Sequence, residues 1–261
     1  QTSLLSTATF DQNFNSQPNY IAKIGQPMGM IYGYIYEGTY KYDDFDKSGS
    51  SYTLKGNIPH YVSESNTQPG MPKYKDLNGD GIIDTNDRTM IGRGLPIHTG
   101  GFTNNFEYKG FDLSVFFQWS YGNDVLNANR LFFDSGFQKK RELNQYASYT
   151  NRWTPENPNS DIPAATNSSS NLVISSRVVE DASFLRLKTV TLGYTVPKTF
   201  LKKYKIDNAR LYVAAQNLWT ITGYSGYDPE VSIRSGGLTP GLDFSSYPRA
   251  LSVSFGINLG F

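Results

Sequence analysis

The chain has 261 residues, no cysteine, and 24 Lys+Arg against 23 Asp+Glu for a net charge of +1. The missing cysteine excludes a disulfide scaffold and a thiolate metal site, and the balanced charge supplies no field for nucleic acid, which is not expected as a partner. With 19 Tyr, 16 Phe and 24 Gly the composition favours strands and turns. No run approaches the roughly 18 apolar residues of a membrane helix, so any crossing of a bilayer has to be made by strands.

In chain order, residues 1–10 (QTSLLSTATF) lack an initiator Met, a basic n-region and an apolar signal core, as expected of a chain that begins within a longer protein. Patterning is poor up to Gly29. Residues 29–40 (GMIYGYIYEGTY) read as a strand, and 41–96 as a long polar loop. A strand over 97–108 meets the next across a tight Lys109-Gly110 turn. In 111–121, Phe111, Leu113, Val115, Phe117, Trp119 and Tyr121 share one face against Asp112, Ser114, Gln118 and Ser120, and only Phe116 breaks the alternation. A long loop leads to Asp181. The strand over 183–196 puts Val190, Leu192, Tyr194 and Val196 on one face and stops at Pro197. A connector over 198–206 precedes a strand at 208–219, and a Gly-, Ser- and Pro-rich loop over 220–248 precedes the last strand, 249–261. There Leu251, Val253, Phe255, Ile257, Leu259 and Phe261 alternate with Ala250, Ser252, Ser254, Gly256, Asn258 and Gly260, so one face is apolar and the other small or polar.

This stripe, ending on an aromatic residue, reads as a transmembrane barrel strand and as the signal for membrane assembly. The expected fold class is all-β, a transmembrane antiparallel β-barrel, with about seven to nine strands in this piece. Loops alternate long and short. Barrel turns are short on the periplasmic side, so a periplasmic carboxy terminus places the three long loops outside the cell.

Motifs recur through the chain in a fixed order: 25–34 (GQPMGMIYGY) with Gly38, 74–81 (YKDLNGDG), Gly100-Gly101-Phe102, 108–113 (YKGFDL), 121–124 (YGND), 152–157 (RWTPEN), 184–188 (FLRLK) with Leu192-Gly193-Tyr194, Gln216-Asn217-Leu218, and 224–230 (YSGYDPE). Together they resemble the carboxy-terminal region of SusC/RagA-type TonB-linked outer-membrane proteins of Bacteroidetes. The resemblance implies a plugged barrel of about 22 strands in the bacterial outer membrane. It further implies nutrient import of glycans or peptides, a SusD-like surface lipoprotein as partner, and energy supplied through TonB. Residues 1–261 would be the carboxy-terminal portion of that barrel, without the plug, the TonB-contacting parts or the amino-terminal half of the wall. No catalytic activity is implied.

One segment carries metal-type spacing. Positions 1, 3, 5, 7, 9 and 12 of a calcium loop fall on Asp76, Asn78, Asp80, the Ile82 carbonyl, Asp84 and Asp87, with Gly81 at the sharp turn. Asp stands where the longer Glu closes an EF-hand, and Asn-Gly-Asp-Gly is also an ordinary turn. Both readings stay open, with Ca2+ as the expected ion. A dockerin-like module is disfavoured, because Gly92, Gly94 and Pro96 break the helix it needs.

The alternative class is a secreted carbohydrate-binding β-sandwich or a glycoside hydrolase with Asp228 and Glu230 as acid and base. Against it, Tyr227-Asp-Pro-Glu230 reads as a Pro-fixed turn, His60 and His98 have no nucleophile nearby, and 223–226 (GYSG) lacks the nucleophile-elbow spacing. Trp119, Tyr121, Tyr194 and Trp219 suit an interfacial girdle better than sugar stacking. The polar run from Lys139 to Tyr146 reads as a short solvated helix, with the partner lipoprotein or lipopolysaccharide as alternative contacts.

Overall fold

The computed structural model describes residues 19–136, 144–166, 172–233 and 236–261. It divides into two compact units. Unit 1 gathers 1–95, 124–180 and 231–246, and unit 2 gathers 96–123, 181–230 and 247–261.

Unit 2 is built on one antiparallel sheet of five long strands, β1 (His98–Tyr108), β2 (Phe111–Tyr121), β3 (Phe184–Thr195), β4 (Asn208–Thr222) and β5 (Ser252–Gly260). They neighbour one another in the order β5-β4-β3-β2-β1, an up-and-down meander whose edges are β5 and β1. The β1–β2 turn is the expected one. Lys109 and Gly110 have φ of 47° and 87°, the pair of positive values that matches a two-residue hairpin to strand twist. Two irregularities interrupt the register. Lys188 is an extra residue of β3 opposite Phe116 and Phe117, and on the other side Asn217 and Leu218 of β4 stand opposite Lys188, with Asn217 at φ 53° and its Nδ2 donating at 3.0 Å to Ala250 O, just before β5. Expected and observed strands agree within about three residues, β4 running on to Thr222.

The segments that build unit 1 leave and rejoin the sheet at the strand ends away from the Lys109-Gly110 turn. They are not plain loops. Met30–Gly33 pairs with Tyr20–Ile21 and Thr89–Arg93, Tyr36–Thr39 with Pro72–Tyr74, Phe45–Ser48 with Ser51–Leu54, and Asp124–Asn127 lies parallel to Leu242–Asp243. The principal core holds Tyr20, Ile31, Leu126, Leu131, Ile174, Val178 and Leu242. Two smaller clusters form around Tyr34, Tyr74, Ile83 and Val173, and around Tyr40, Phe45 and Leu54.

The strand expected over 29–40 is therefore corrected. It breaks into two short strands in different sheets of unit 1 and is not a wall strand. It is rich in apolar side chains on both faces and packs within unit 1: Ile31 is fully buried, Met30 and Tyr32 on the opposite face are half-buried, and a Cβ on Gly33 would lie 2.9 Å from Ile91 Cδ1. The described wall has five strands rather than seven to nine. Residues 1–18 and most of the run 139–146 lie outside the described residues.

Candidate functional site

The sheet of unit 2 has two chemically distinct faces, because directly paired residues in an antiparallel ladder share a face. One row across all five strands reads Phe106, Leu113, Leu192, Val213, Phe255; the next reads Tyr108, Phe111, Tyr194, Leu211, Ile257. Toward the other end come Val115, Val190, Ala215 and Val253, then Phe102, Phe117, Leu187 and Trp219. Asn104 is the polar exception. These side chains are uncovered: Phe255 is 82% exposed, Ile257 64% and Trp219 59%. A continuous apolar face of this extent is costly in water and marks a contact with an apolar medium or partner.

Rings collect at both ends of the band. Phe111 and Tyr194 pack at 4.5 Å between centroids beside the Lys109-Gly110 turn. At the opposite end His98 stacks on Tyr121 at 5.1 Å, and Trp119 Nε1 donates to His98 Nδ1 at 3.1 Å. Trp119, Tyr121, Tyr194 and Trp219 all lie on the apolar face.

The other face is polar and contains two ion networks. Arg210 on β4 reaches across β3 to Asp112 on β2 with Nε donating at 3.0 Å and Nη2 to the second oxygen, a bidentate fork. The residue between them is Gly193, where a Cβ would lie 2.6 Å from Asp112 Oδ2. Phe116, the residue that broke the alternation, sits on this face over Gly101, whose Cβ would come 2.7 Å from its ring. At the far end of β3, Arg186 is almost fully buried. It donates from Nη2 to Asp228 Oδ1 at 2.6 Å, from Nη1 to Glu230 Oε2 at 3.1 Å and from Nε to Thr220 Oγ1 at 2.9 Å. Lys188 and Arg249 complete the cluster at 3.4 and 3.0 Å from Glu230. Burial alone would raise Asp228, but the Glu230 N–H, the Arg186 side chain and the Arg249 N–H outweigh it and hold the carboxyl below its ordinary range. Asp228 and Glu230 thus share one arginine, which ties the turn over 228–230 to the sheet of unit 2. An acid and a base would need environments that push their pKa values apart.

The chain is similar to TonB-dependent receptor P3 of Formosa agariphila, with 37% identity over 254 residues, 95% of this chain and 24% of that protein. It is also similar to TonB-dependent receptor SusC of Bacteroides thetaiotaomicron, at 29% over 201 residues. Among solved structures, the RagAB peptide transporter aligns over 93% of the chain with a TM-score of 0.66 and 28% identity. The chain belongs to the SusC/RagA family of TonB-dependent receptors. It spans about a quarter of the length of the curated relatives, and no protein-family model matches it. The relatives that it matches carry the names of receptors and a transporter. Among the described residues no helix is long and apolar enough to cross a membrane.

In this SusC/RagA chain the sequence-predicted metal residues fall in one loop of unit 1, closed by its own hydrogen bonds. Asp76 accepts from Gly79 N–H at 2.6 Å and Gly81 N–H at 2.9 Å, Asn78 from Asp80 N–H at 3.0 Å, and Asp80 from Ile82 N–H at 2.8 Å. Asp84 takes the Asn86 N–H at 2.7 Å. Asp87 is fully buried, and its two oxygens accept the Leu77 and Asp84 N–H groups, each at 2.8 Å. The Gly81 N–H, first among several donors, holds Asp76 below the ordinary carboxyl range. No group of three or more His, Cys, Asp or Glu among the described residues is placed to hold a metal ion. His60 N–H donates to Gly81 O and Ile83 N–H to His60 O, so the loop is docked by a short bridge to His60.

Sequence reasoning missed the arginine immediately after this loop. Arg88 is buried beneath tyrosines, 4.7 Å from the Tyr32 ring, and donates to Tyr32 O at 3.1 Å. Burial, with smaller charge effects, pushes the neighbouring Tyr34 hydroxyl up to about 12. The available signal was the density of Tyr in 32–40 and at Tyr61 and Tyr74, too many rings for a solvated loop.

Proposed function

We propose that these residues form part of the wall of an outer-membrane TonB-dependent importer. The five strands cross the bilayer, the apolar face meets lipid and the polar face lines the lumen. The observation that carries this is the alignment of apolar side chains into two unbroken rows across five strands, continued by two more rows with Asn104 as the one polar residue, and ringed by aromatics at both ends. At about 3.3 Å per residue, strands tilted by roughly 40° need about ten residues to match the roughly 25 Å apolar band of such barrels. The edges β1 and β5 would pair with the rest of the wall. The fold and family of RagAB and the name of SusC support import of nutrient oligomers, peptide or glycan, with a SusD-like surface lipoprotein on the outer side and TonB supplying energy from the periplasm. The long loops between the strands would face the cell exterior, where that lipoprotein and lipopolysaccharide are.

This chain has no cysteine, which makes the test direct. Single cysteines at Val115, Val213 and Phe255 should resist a water-soluble maleimide in membranes, while those at Ser114, Ala214 and Ser254 should react. Equal labelling of both sets would remove the wall reading.

Calcium in the 76–87 loop is supported by ligand spacing, since an oxygen accepting one N–H keeps a second lone pair for a cation. A calcium-dependent gain in protease resistance, lost in Asp80→Asn, is the expected result; resistance unaffected by calcium would remove the proposal.

A further inference from the structure

The connector between β3 and β4 is basic and aromatic together. Lys198, Lys202, Lys203 and Lys205 fall within eight residues and are all exposed. None of them makes a salt bridge among the described residues. The segment is ordered: a turn of helix, Lys198–Leu201, continues into a 3-10 turn, Lys202–Tyr204, and stops at Lys205, whose φ of 56° is left-handed. Leu201 is buried beneath it, and Asp207 N–H donates to Gly260 O at 2.9 Å, which ties the connector to the end of β5. Thr195 N–H donates to Gly110 O at 2.7 Å, so Lys109 is at the same end of the sheet. Between the lysines, Phe200 is 71% and Tyr204 67% exposed.

A solvated loop gains nothing from two uncovered rings. A loop at a membrane surface does, because rings enter the headgroup layer while lysine stems lie along apolar surface and extend their charge to phosphate. The apolar band, with Phe111 and Tyr194 packed together, ends at this same edge. We propose that this rim binds the headgroup phosphates of anionic phospholipids in the periplasmic leaflet, through Lys109 and the four connector lysines, with Phe200 and Tyr204 seated at the acyl boundary. The proposal rests on the importer-wall reading, which sets this end of the strands at the periplasmic surface.

The test uses the full-length receptor in detergent, titrated with phosphatidylglycerol or phosphatidylcholine and read by native mass spectrometry. Wild type should prefer phosphatidylglycerol, and binding should weaken roughly five-fold for each lysine changed to Gln, the fold-change expected from one lysine at an anionic surface. Phosphatidylcholine binding should not change. A heat-modifiable gel band confirms that the variant with Lys198, Lys202, Lys203 and Lys205 all changed to Gln has assembled; if it has not, Lys202→Gln and Lys203→Gln singly serve in its place. Equal affinity of wild type for both lipids, or phosphatidylglycerol binding unaltered in the variant, overturns the inference. If the cysteine-labelling pattern holds but lipid selectivity is absent, only this inference fails; if the labelling pattern fails, the wall reading fails first.

Discussion

Gly193 shows how a single missing side chain can organise a sheet face. The Asp112–Arg210 fork passes over β3 only because that position has no Cβ. Gly193→Ala should lower stability by about 1–3 kcal/mol through overpacking, and Asp112→Ala added to it should recover part of the loss, a coupling that thermal melts of the four proteins in the cycle would measure. Arg186 is a stronger case. Its side chain and that of Asp228 are 3% and 5% exposed, so Arg186→Met leaves a buried carboxylate without its partner, at a cost of about 3–5 kcal/mol. An apparent Tm unchanged by Arg186→Met would mean that the cluster does not hold the 228–230 turn to the sheet. None of this was legible from spacing. Gly193 was visible only inside a motif, and Arg186 lies 42 residues from Asp228, so that nothing local joins them.

At the scale of the element, period two carried nearly all the information. β2 and β5 were legible because β5 alternates over its full length and β2 at every position but Phe116, and a strand with one face in an apolar medium has no freedom to slip register. Residues 29–40 misled because a run apolar on both faces suits a buried strand in a compact unit as well as one in a wall. Removing Phe261 should reduce the fraction of protein in the outer membrane several-fold without affecting synthesis, as scored by membrane fractionation; undiminished insertion would deny the terminal stripe its role in assembly. The tyrosine cluster gives a titration. Tyr34 ionises near 12 in the folded protein, above its ordinary 10.0, so its contribution to stability is fully present below the ordinary value and is lost as pH rises from there through the folded value. Near-UV circular dichroism of unit 1 should therefore decay in that alkaline window, and a Tyr34→Phe variant should decay less.

For the molecule as a whole, the two units differ in how sequence encodes them. The wall is written in local alternation; unit 1 is written in pairings between distant segments, which a single sequence does not display. Leu126 is fully buried against Leu242, its parallel partner. Leu126→Ala should cost about 2–5 kcal/mol, and limited proteolysis should then open both 124–180 and 231–246, since they share one core. Cleavage confined to the first segment would mean that they fold independently.

That shared core also imposes an order in time. The three segments of unit 1 are separated by hairpins of the wall: β1 and β2 lie between the first and second, β3 and β4 between the second and third. Contacts between Ile31, Leu126 and Leu242 span long stretches of chain, and closing such distances is slow until the intervening strands have brought the ends together. Unit 1 is then completed late, when residues 231–246 arrive just ahead of the terminal strand, and until that moment Ile31 and Leu126 have no cover.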